Sequence, residues 1–332
     1  MDAIRSAAQR QAQRATTGID DMAAYLGQQV GDQSHRDVTG PLRAGKGASG
    51  VIVHRGQAVA SWGDPDEPEM CFSATKSVLS TVAGLAYDRG LLPNVHAPVV
   101  QSVDHPAFAD PRSKTITWEH LLQQTSGWDG ELWGKPSSAD AQSHDGDGPR
   151  GEPGSAFAYN DVRVNLLALA LTVLWRRPLP DVLAMELMGP LGASDGWSWH
   201  GYSDSVVTID GRNVPVVSGG AHWGGGFWAS AGDLARLGEL YLRRGRWDGR
   251  QLLSAEWIEA SWRPGEVNPD YGYLWWLNDR QRIFPDAPVT GRCARGNGGR
   301  HLLWVDPARD LVIASHWGDD VGTLLREVSA AI

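Results

Sequence analysis

Apolar residues follow strand-like patterns near both ends of the chain and helical spacing in the middle. The segment "GASGVIVHRGQAVASWG" predicts two short strands joined at Arg55-Gly56, which is a hairpin signal. Toward the carboxyl end, β-type runs separated by Asp-Pro and glycine-rich turns are "YGYLWWL", "HLLWVD" and "LVIASHW". Strands that start and finish a chain can share one antiparallel sheet, and we expect that arrangement here.

Helical spacing dominates between these strands. From residue 73 to residue 89 the apolar positions recur with helical periodicity, and Thr117 is a predicted N-cap for "WEHLL". In "SAGDLARLGELYLRRG", Ser230 and Asp233 have the spacing of a capping box. Two more helices are predicted in "NDVRVNLLALALTVLWRR" and "LPDVLAMELMGPLG". The Ser-, Gly-, Asp- and Pro-rich segment Lys135–Gly154 predicts a long loop.

The first thirty residues have no apolar core, so they do not resemble a signal peptide and instead predict an amphipathic helix. Its candidate inward positions are Ile4, Ala8, Ile19, Met22 and Leu26. The most apolar segment, Val164 to Trp175, is too short to span a bilayer. We therefore expect a cytoplasmic protein without a membrane partner.

These elements together predict an α+β fold, with an antiparallel sheet flanked by helices and an inserted, mostly helical lobe. We expect a single domain over residues 1–332. Its α/β lobe would comprise about 1–70 and 230–332, and its helical lobe about 71–229. A cleft between two such lobes is a natural ligand site.

Composition excludes several classes of protein. The net charge of −9 and the absence of a basic run argue against nucleic-acid or anionic-membrane binding. The two cysteines, Cys71 and Cys293, cannot form a disulfide framework, which favours a reducing compartment. The histidines show no pair at helical metal spacing, so we predict neither a metal nor a cofactor.

In "CFSATKS", Lys76 stands three residues after Ser73 at the start of a predicted helix. Positions i and i+3 share a helix face, so the amine can reach the hydroxyl. A serine becomes a strong nucleophile when a neighbouring base takes its proton. The alternative is that Ser73 is a helix cap and Lys76 a solvated side chain.

Other segments appear in the order found in a known family. "FSATKS" resembles the Ser-x-x-Lys motif of the serine β-lactamase and penicillin-binding-protein superfamily. Further resemblances, in register from about Gly47 to Ser315, are "ITWEHLLQQTSGW", "PGSAFAYND", "GGGFWASAGDLARLGELYL" and "GNGGRHLLWVDPARDLVI". The most similar branches are class C β-lactamase-related esterases, carboxypeptidases and aminohexanoate-dimer amidases.

The resemblance implies an acyl-enzyme on Ser73, with Lys76 and Tyr159 as general acid and base. It also implies an oxyanion hole made by the backbone N–H groups of Ser73 and Arg300. The glycines of the last motif, which would let that strand approach the substrate, are Gly298 and Gly299.

Two positions depart from the family pattern. Asp161 occupies the place of the asparagine in Tyr-x-Asn, where it can pair with Lys76 and raise its pKa, cap the next helix, or hold an amine of the substrate. Asn297 stands where the family has Lys, His or Trp, so it brings no charge and favours an ester or neutral amide over a β-lactam. A substrate carboxylate could instead meet one of three nearby residues: Arg295, Arg300 or His301.

The chain has 16 tryptophans, a high number for its length. If the alignment to the family holds, those that face the cleft and line an apolar pocket are Trp128, Trp133, Trp223 and Trp228. For any one of them, a place in the core is the alternative.

The sequence thus predicts a serine hydrolase acting on a small-molecule ester or amide. Three alternatives stay open: a β-lactamase or D-Ala carboxypeptidase, an aminohexanoate-dimer-type amidase, and a non-catalytic binding relative. The sequence does not indicate an oligomeric state.

Overall fold

A computed structural model describes residues 2–28, 35–140 and 151–332. The strands are β1 (Ser49–His54), β2 (Gln57–Trp62), β3 (Glu69–Met70), β4 (Glu131–Leu132), β5 (Lys135–Pro136), β6 (Ser198–His200), β7 (Val206–Ile209), β8 (Arg212–Pro215), β9 (Gly226–Ala229), β10 (Arg246–Trp247), β11 (Arg250–Gln251), β12 (Trp276–Leu277), β13 (Arg292–Gly296), β14 (His301–Asp306) and β15 (Leu311–His316). The α-helices are α1 (Asp2–Gln13), α2 (Met22–Gly27), α3 (Thr75–Asp88), α4 (Trp118–Leu122), α5 (Asp161–Trp175), α6 (Leu179–Leu183), α7 (Ala231–Leu242), α8 (Ala255–Ser261) and α9 (Val321–Ala330).

Strands from both ends of the chain form one antiparallel sheet. Within the described residues its order is β12-β13-β14-β15-β1-β2, and β1 pairs with β15 from Ser49 opposite His316 to His54 opposite Leu311. The β1–β2 hairpin turns at Arg55 and Gly56, with φ of 53° and 72°, as expected of a two-residue turn that matches strand twist. The predicted shared sheet, hairpin and α+β fold are confirmed.

Alternation along the central strands supplies two buried faces. Ile52 packs with Ile313 in the cluster that includes residues of α1 and α9, whereas Val51 and Val53 face the other cluster, which includes residues of α7 and α3. A fully buried aliphatic side chain contributes about 1.5–3 kcal/mol. Because each face of the sheet packs against residues from helices, helices cover the sheet on both sides.

The helical part is organised around α5, which is buried nearly all the way round and contacts α3, α4 and α6. Burial of α5 places its first turn in the interior, next to the start of α3. The lobe boundaries near residues 70 and 230 stay a prediction.

The amino-terminal segment departs from the single predicted helix. It forms two helices, α1 and α2, because Gly18 takes a left-handed φ of 72° in the connection and Asp21 caps the second helix. The five predicted inward residues are nevertheless all buried, as expected.

The predicted loop Lys135–Gly154 is wrong at its start, because Lys135 pairs with Leu132 in the β4–β5 hairpin. A 3-10 turn, Ser137–Ala139, follows, and the predicted loop at 141–150 lies outside the described residues.

The predicted caps Thr117 and Ser230 are both observed. The Asp233 carboxylate bonds Ser194 and Arg236, which leaves the second half of the predicted capping box unmade.

Both cysteines are buried and free. In the described ranges, no helix has the length and apolar character required to traverse a bilayer.

Candidate active site

Ser73 lies in the 3-10 turn Phe72–Ala74, directly before α3. Phe72 has a left-handed φ of 48° and is held between His301 and Trp317, at centroid distances of 4.8 and 5.5 Å. Strained backbone of this kind is maintained only where the surroundings enforce it. Helix α3 has no side-chain cap at its start, so the alternative of Ser73 as a capping residue is wrong.

Lys76 lies one turn further along and is only 1% exposed. Its Nζ atom donates to Ser73 Oγ at 2.8 Å and forms an ion pair with Asp161. The alternative of a solvated lysine is therefore wrong, and the sequence pair Ser-x-x-Lys is a buried contact.

Asp161 is the first residue of α5. The helix is capped by Asn160, whose side chain accepts from Arg163 N at 3.0 Å, so Asp161 is not the cap. Its second oxygen accepts the backbone N–H of His222 at 3.2 Å. A Cβ atom on Gly220 would lie 2.3 Å from this carboxylate, so the close approach requires glycine.

The ion pair sets the charge of both partners. Burial acts to lower the pKa of Lys76, but the charge and hydrogen bond of Asp161, together with Tyr159, outweigh it and raise that pKa. Burial acts to raise the pKa of Asp161, and Lys76 reverses this and holds it below its usual value. Lys76 is therefore an ammonium and Asp161 a carboxylate at neutral pH.

Tyr159 stands just before α5 and forms a wall of the site. Its ring lies 4.5 Å from Lys76 Nζ and is tilted against Trp276 at a centroid distance of 5.4 Å. Tyr271 contacts the ring edge-on at 6.1 Å. These contacts bring the phenol to the side of the Ser73–Lys76 pair.

The connection between β13 and β14 forms the opposite wall. Asn297, Gly298 and Gly299 all have positive φ, at 51°, 68° and 101°. Gly296 packs against the Ser73 turn so closely that a Cβ atom would lie 3.0 Å from Ser73 N. The backbone N–H of Arg300 donates to Asn297 O at 3.2 Å and closes a 3-10 turn.

These walls enclose a cavity of about 500 Å³. The predicted site residues that line it are Ser73, Tyr159, Asp161, Asn297, Gly298 and Arg300. Lys76 lies beneath it, and Gly299 packs near Phe284 and Val321 instead. A cavity of this size suits a small molecule.

The structure does not bring the four predicted tryptophans to this cavity. Trp128, Trp223 and Trp228 are at most 4% exposed and belong to the hydrophobic clusters, and Trp133 packs edge-on to Tyr202 at 6.3 Å. Core packing accounts for the burial of Trp128, Trp223 and Trp228, so the alternative applies to those three, whereas Trp133 is only partly buried against the core. The tryptophan that lines the cavity is Trp276, from β12.

Three residues near the last motif were candidates to hold a substrate carboxylate. His301 is fully buried against His316, with 2.9 Å between their Nδ1 atoms, and Arg300 pairs with Asp319 at 2.8 Å. Arg295 lines the cavity and lies over the rings of Trp276 and Phe284, 5.5 Å from each. No carboxylate in the described part of the chain forms a salt bridge with Arg295.

Sequence reasoning missed several residues of the site. Asp140 and His222 line the cavity beside Asp161. Asp140 was assigned to the predicted loop, and His222 lies in a glycine-rich stretch without a motif. From α2, Leu26 lines the cavity and the Tyr25 hydroxyl hydrogen-bonds the side chain of Asn297. The sequence marked this segment only as an amphipathic helix with an inward Leu26, so no signal pointed to the site.

The chain is similar to known proteins of one family. The β-lactamase family model matches residues 13–320. The 6-aminohexanoate-dimer hydrolase of Paenarthrobacter ureafaciens is 24% identical, over 81% of this chain and 73% of that protein.

Solved structures share the fold. A penicillin-binding-protein homologue from Caulobacter crescentus aligns with a TM-score of 0.62 and 18% identity, over 96% of this chain and 98% of its own. A D-stereospecific amidohydrolase from Streptomyces aligns with a TM-score of 0.59 and 15% identity, over 90% and 96%. Because the family model matches residues 13–320, nearly the whole length of the given sequence, the chain belongs to the β-lactamase family.

Proposed function

We propose that this hydrolase of the β-lactamase family cleaves a small ester or amide through an acyl-enzyme on Ser73. The observation that carries the proposal is the 2.8 Å hydrogen bond between Lys76 Nζ and Ser73 Oγ at the cavity, with Asp161 as the buried counter-ion. Covalent catalysis places the nucleophile within hydrogen-bond reach, about 2.6–3.2 Å, of a neighbouring group that a third residue orients.

In acylation, Ser73 Oγ attacks the substrate carbonyl carbon and the bond to the leaving group breaks. The hydroxyl proton passes through the Tyr159 phenol to the departing amine or alcohol. Lys76, already an ammonium, does not take this proton; its positive charge stabilises the oxygen as negative charge develops on it. Asp161 keeps Lys76 in this state.

The backbone N–H groups of Ser73 and Arg300 would hold the oxyanion of the tetrahedral intermediate. The turn at Phe72 and the contact with Gly296 fix the position of the first donor. The second is engaged with Asn297 O at 3.2 Å, a long bond that a substrate oxygen can share or replace. In deacylation, the oxygen of a water molecule attacks the acyl carbon and the bond from that carbon to Ser73 Oγ breaks. One proton of the water passes to Ser73 Oγ, and the carboxylic acid is released.

The similarity to a protein named 6-aminohexanoate-dimer hydrolase supports an amide substrate that also carries an amine. Arg295 gives the cavity one cation for a carboxylate, which also supports the alternative of a β-lactam or a D-amino-acid peptide. Asn297 brings no charge to its motif position and bonds Tyr25, and this favours the ester or amide.

A fluorophosphonate probe tests the nucleophile. We expect covalent labelling of the wild-type protein and none of Ser73→Ala. An unlabelled wild-type protein would support the non-catalytic relative, and equal labelling of both proteins would refute the role of Ser73. Short p-nitrophenyl esters, a 6-aminohexanoate dimer and nitrocefin, assayed side by side, then separate the substrate classes; we expect nitrocefin turnover to be weak or absent.

A further inference from the structure

Tyr159 lies on a segment that has no regular structure of its own. Residues 156–160, which lead into α5, are neither helix nor strand. A group that relays a proton must stay within hydrogen-bond reach of the reacting atoms, and a misplacement of about 1 Å can cost about 10²-fold in rate. Another part of the chain must therefore fix this segment.

Gln124, which follows α4, hydrogen-bonds the chain on both sides of Tyr159. Its backbone carbonyl accepts the N–H of Ala158 at 3.0 Å. Its side-chain Oε1 accepts the backbone N–H of Asn160 at 2.8 Å. One glutamine therefore anchors the residue before Tyr159 and the residue after it.

The other end of the same amide holds a ring that packs against Tyr159. Gln124 Nε2 donates to the Tyr271 hydroxyl at 2.9 Å. The Tyr271 ring meets the Tyr159 ring edge-on at 6.1 Å, and Trp276 contacts both rings. The orientation of the amide follows from its partners, because the N–H of Asn160 requires the oxygen as acceptor. The backbone and the ring of Tyr159 are thus both positioned through Gln124.

The conformation of Gln124 is itself costly. The residue is only 1% exposed and has a left-handed φ of 55°. Non-glycine residues persist in this region only where the surroundings enforce it. Gln124 is not part of the cavity lining, so it does not contact the substrate. Any effect on the reaction must pass through the residues that it holds.

We propose that Gln124 is a positioning residue for Tyr159, and that its side-chain amide keeps the phenol within reach of Ser73 and the leaving group. This inference rests on the proposed function, since it assigns Gln124 to the same reaction. The alternative is that Gln124 only satisfies buried polar groups of the fold. A positioning residue loses its effect once the Tyr159 hydroxyl is removed, whereas a structural residue keeps it.

A double-mutant cycle with Gln124→Met and Tyr159→Phe tests the inference. Methionine has a similar length, lacks both side-chain hydrogen bonds and leaves the backbone carbonyl in place. With phenyl acetate, kcat/KM should fall at least about tenfold in Gln124→Met and at least about a hundredfold in Tyr159→Phe. The double variant should lie within about threefold of Tyr159→Phe alone.

The leaving group supplies a second measurement. Phenolate is more basic than p-nitrophenolate, so a displaced proton relay should slow phenyl acetate more than p-nitrophenyl acetate. Gln123→Met is the matched control, because it changes the same residue type one position earlier. The Gln123 side chain hydrogen-bonds Glu119 at 3.5 Å within the same helical turn, and its loss should leave both rates unchanged.

A second variant keeps the cycle usable if Gln124→Met does not fold. Tyr271→Phe retains the packed ring and removes only the hydroxyl that Gln124 holds. It should lower kcat/KM for phenyl acetate severalfold in the wild-type background and leave it unchanged in the Tyr159→Phe background.

The inference is overturned if Gln124→Met is as active as the wild type, or if its loss is the same with and without the Tyr159 hydroxyl. The same loss from Tyr271→Phe in both backgrounds overturns it in the second cycle. Full activity of Tyr159→Phe would refute the proton relay, and the inference with it.

Hydrogen exchange at residues 158–160 separates this inference from the proposed function, because it requires no turnover. We expect faster exchange of these amides in Gln124→Met than in the wild type, and equal exchange would overturn the inference. If exchange is faster but the wild-type protein turns over neither ester nor amide, the proposed function fails and the hold of Gln124 on the Tyr159 segment stands.

Discussion

Lys76 and Asp161 are separated by 85 residues in the chain and meet as a buried ion pair that joins the first turn of α3 to the first turn of α5. The pair holds Lys76, the hydrogen-bond partner of Ser73, in its charged form. It also connects α3 and α5 beside the cavity, so the fold and the candidate active site depend on the same contact.

Asp161→Asn should therefore destabilise the protein and lower its activity. The change removes the ion-pair partner of the buried Lys76 ammonium, and breaking a buried pair in this way costs about 3–5 kcal/mol. The folded-state pKa of Asp161 is lowered, so its contribution is present above the unfolded pKa of about 3.9 and is lost as the pH falls through the folded value. The folded-state pKa of Lys76 is raised, so its contribution is present below its unfolded pKa of about 10.4. Between these two pH values, the melting temperature of Asp161→Asn should lie furthest below that of the wild type.

The double variant Lys76→Met/Asp161→Leu serves as the control for this prediction. Removing both charges should restore most of the stability while activity stays lost. Equal melting temperatures for Asp161→Asn and wild type at pH 7 would mean that the pair contributes little.

Acidification should also weaken the fold through His301 and His316. Both are fully buried behind the Ser73 turn. Burial lowers the pKa of His316 to about 4, and burial with the charges of His316 and Arg300 lowers that of His301 well below its usual value. The unfolded chain therefore binds more protons below pH 6.5, and stability falls from there toward pH 4 by up to about 1.4 kcal/mol per pH unit and histidine. Melting temperatures across this range measure the loss. The variant His301→Gln/His316→Gln should give a flatter profile, and an unchanged slope would contradict the assignment.

Gly296→Ala should impair catalysis through the backbone of the nucleophile turn. The added Cβ atom would lie 2.3 Å from Cys71 O and 3.0 Å from Ser73 N, so the turn or the strand must move. Overpacking of this kind costs about 1–3 kcal/mol. We expect kcat for an ester substrate to fall more than KM rises. Gly27→Ala, where a Cβ atom meets nothing within 4 Å, is the matched control, and equal kcat values for the two variants would refute the argument.

Arg295→Gln should reduce activity only toward substrates that carry a carboxylate. The guanidinium lies in the cavity over Trp276 and Phe284, so a carboxylate can bind it with two hydrogen bonds. We expect kcat/KM for a carboxylate substrate to fall at least about tenfold, and that for its neutral amide to stay the same. Arg292→Gln, on the same strand but paired with Asp279, should change neither. A parallel loss for both substrates would indicate a structural role.

Local patterns were sufficient to predict the elements that depend on near neighbours. The β1–β2 hairpin follows from Arg55-Gly56, and the contact between Ser73 and Lys76 follows from helical spacing. The break between α1 and α2 was missed because the apolar positions on both sides of Gly18 continue a helical pattern, although the chain between them does not.

Contacts over long sequence separations could not be predicted in the same way. Asp140 and His222 reach the cavity because α5 is buried and carries Asp161 between them, and no motif encodes that position. The tryptophans near the motifs were assigned to the cleft by proximity in sequence, whereas the large apolar side chains of Trp128, Trp223 and Trp228 lie in the core.

The pairing of β1 with β15 has a consequence for biosynthesis. The central strands can close only after His316, the partner of Ser49, has emerged from the ribosome, so the sheet forms late relative to the synthesis of β1. Gly296, whose strand supports the Ser73 turn, is also late in the chain. Chains that stop short of His316 therefore lack a closed sheet and a finished cavity, and we expect no hydrolytic activity from them.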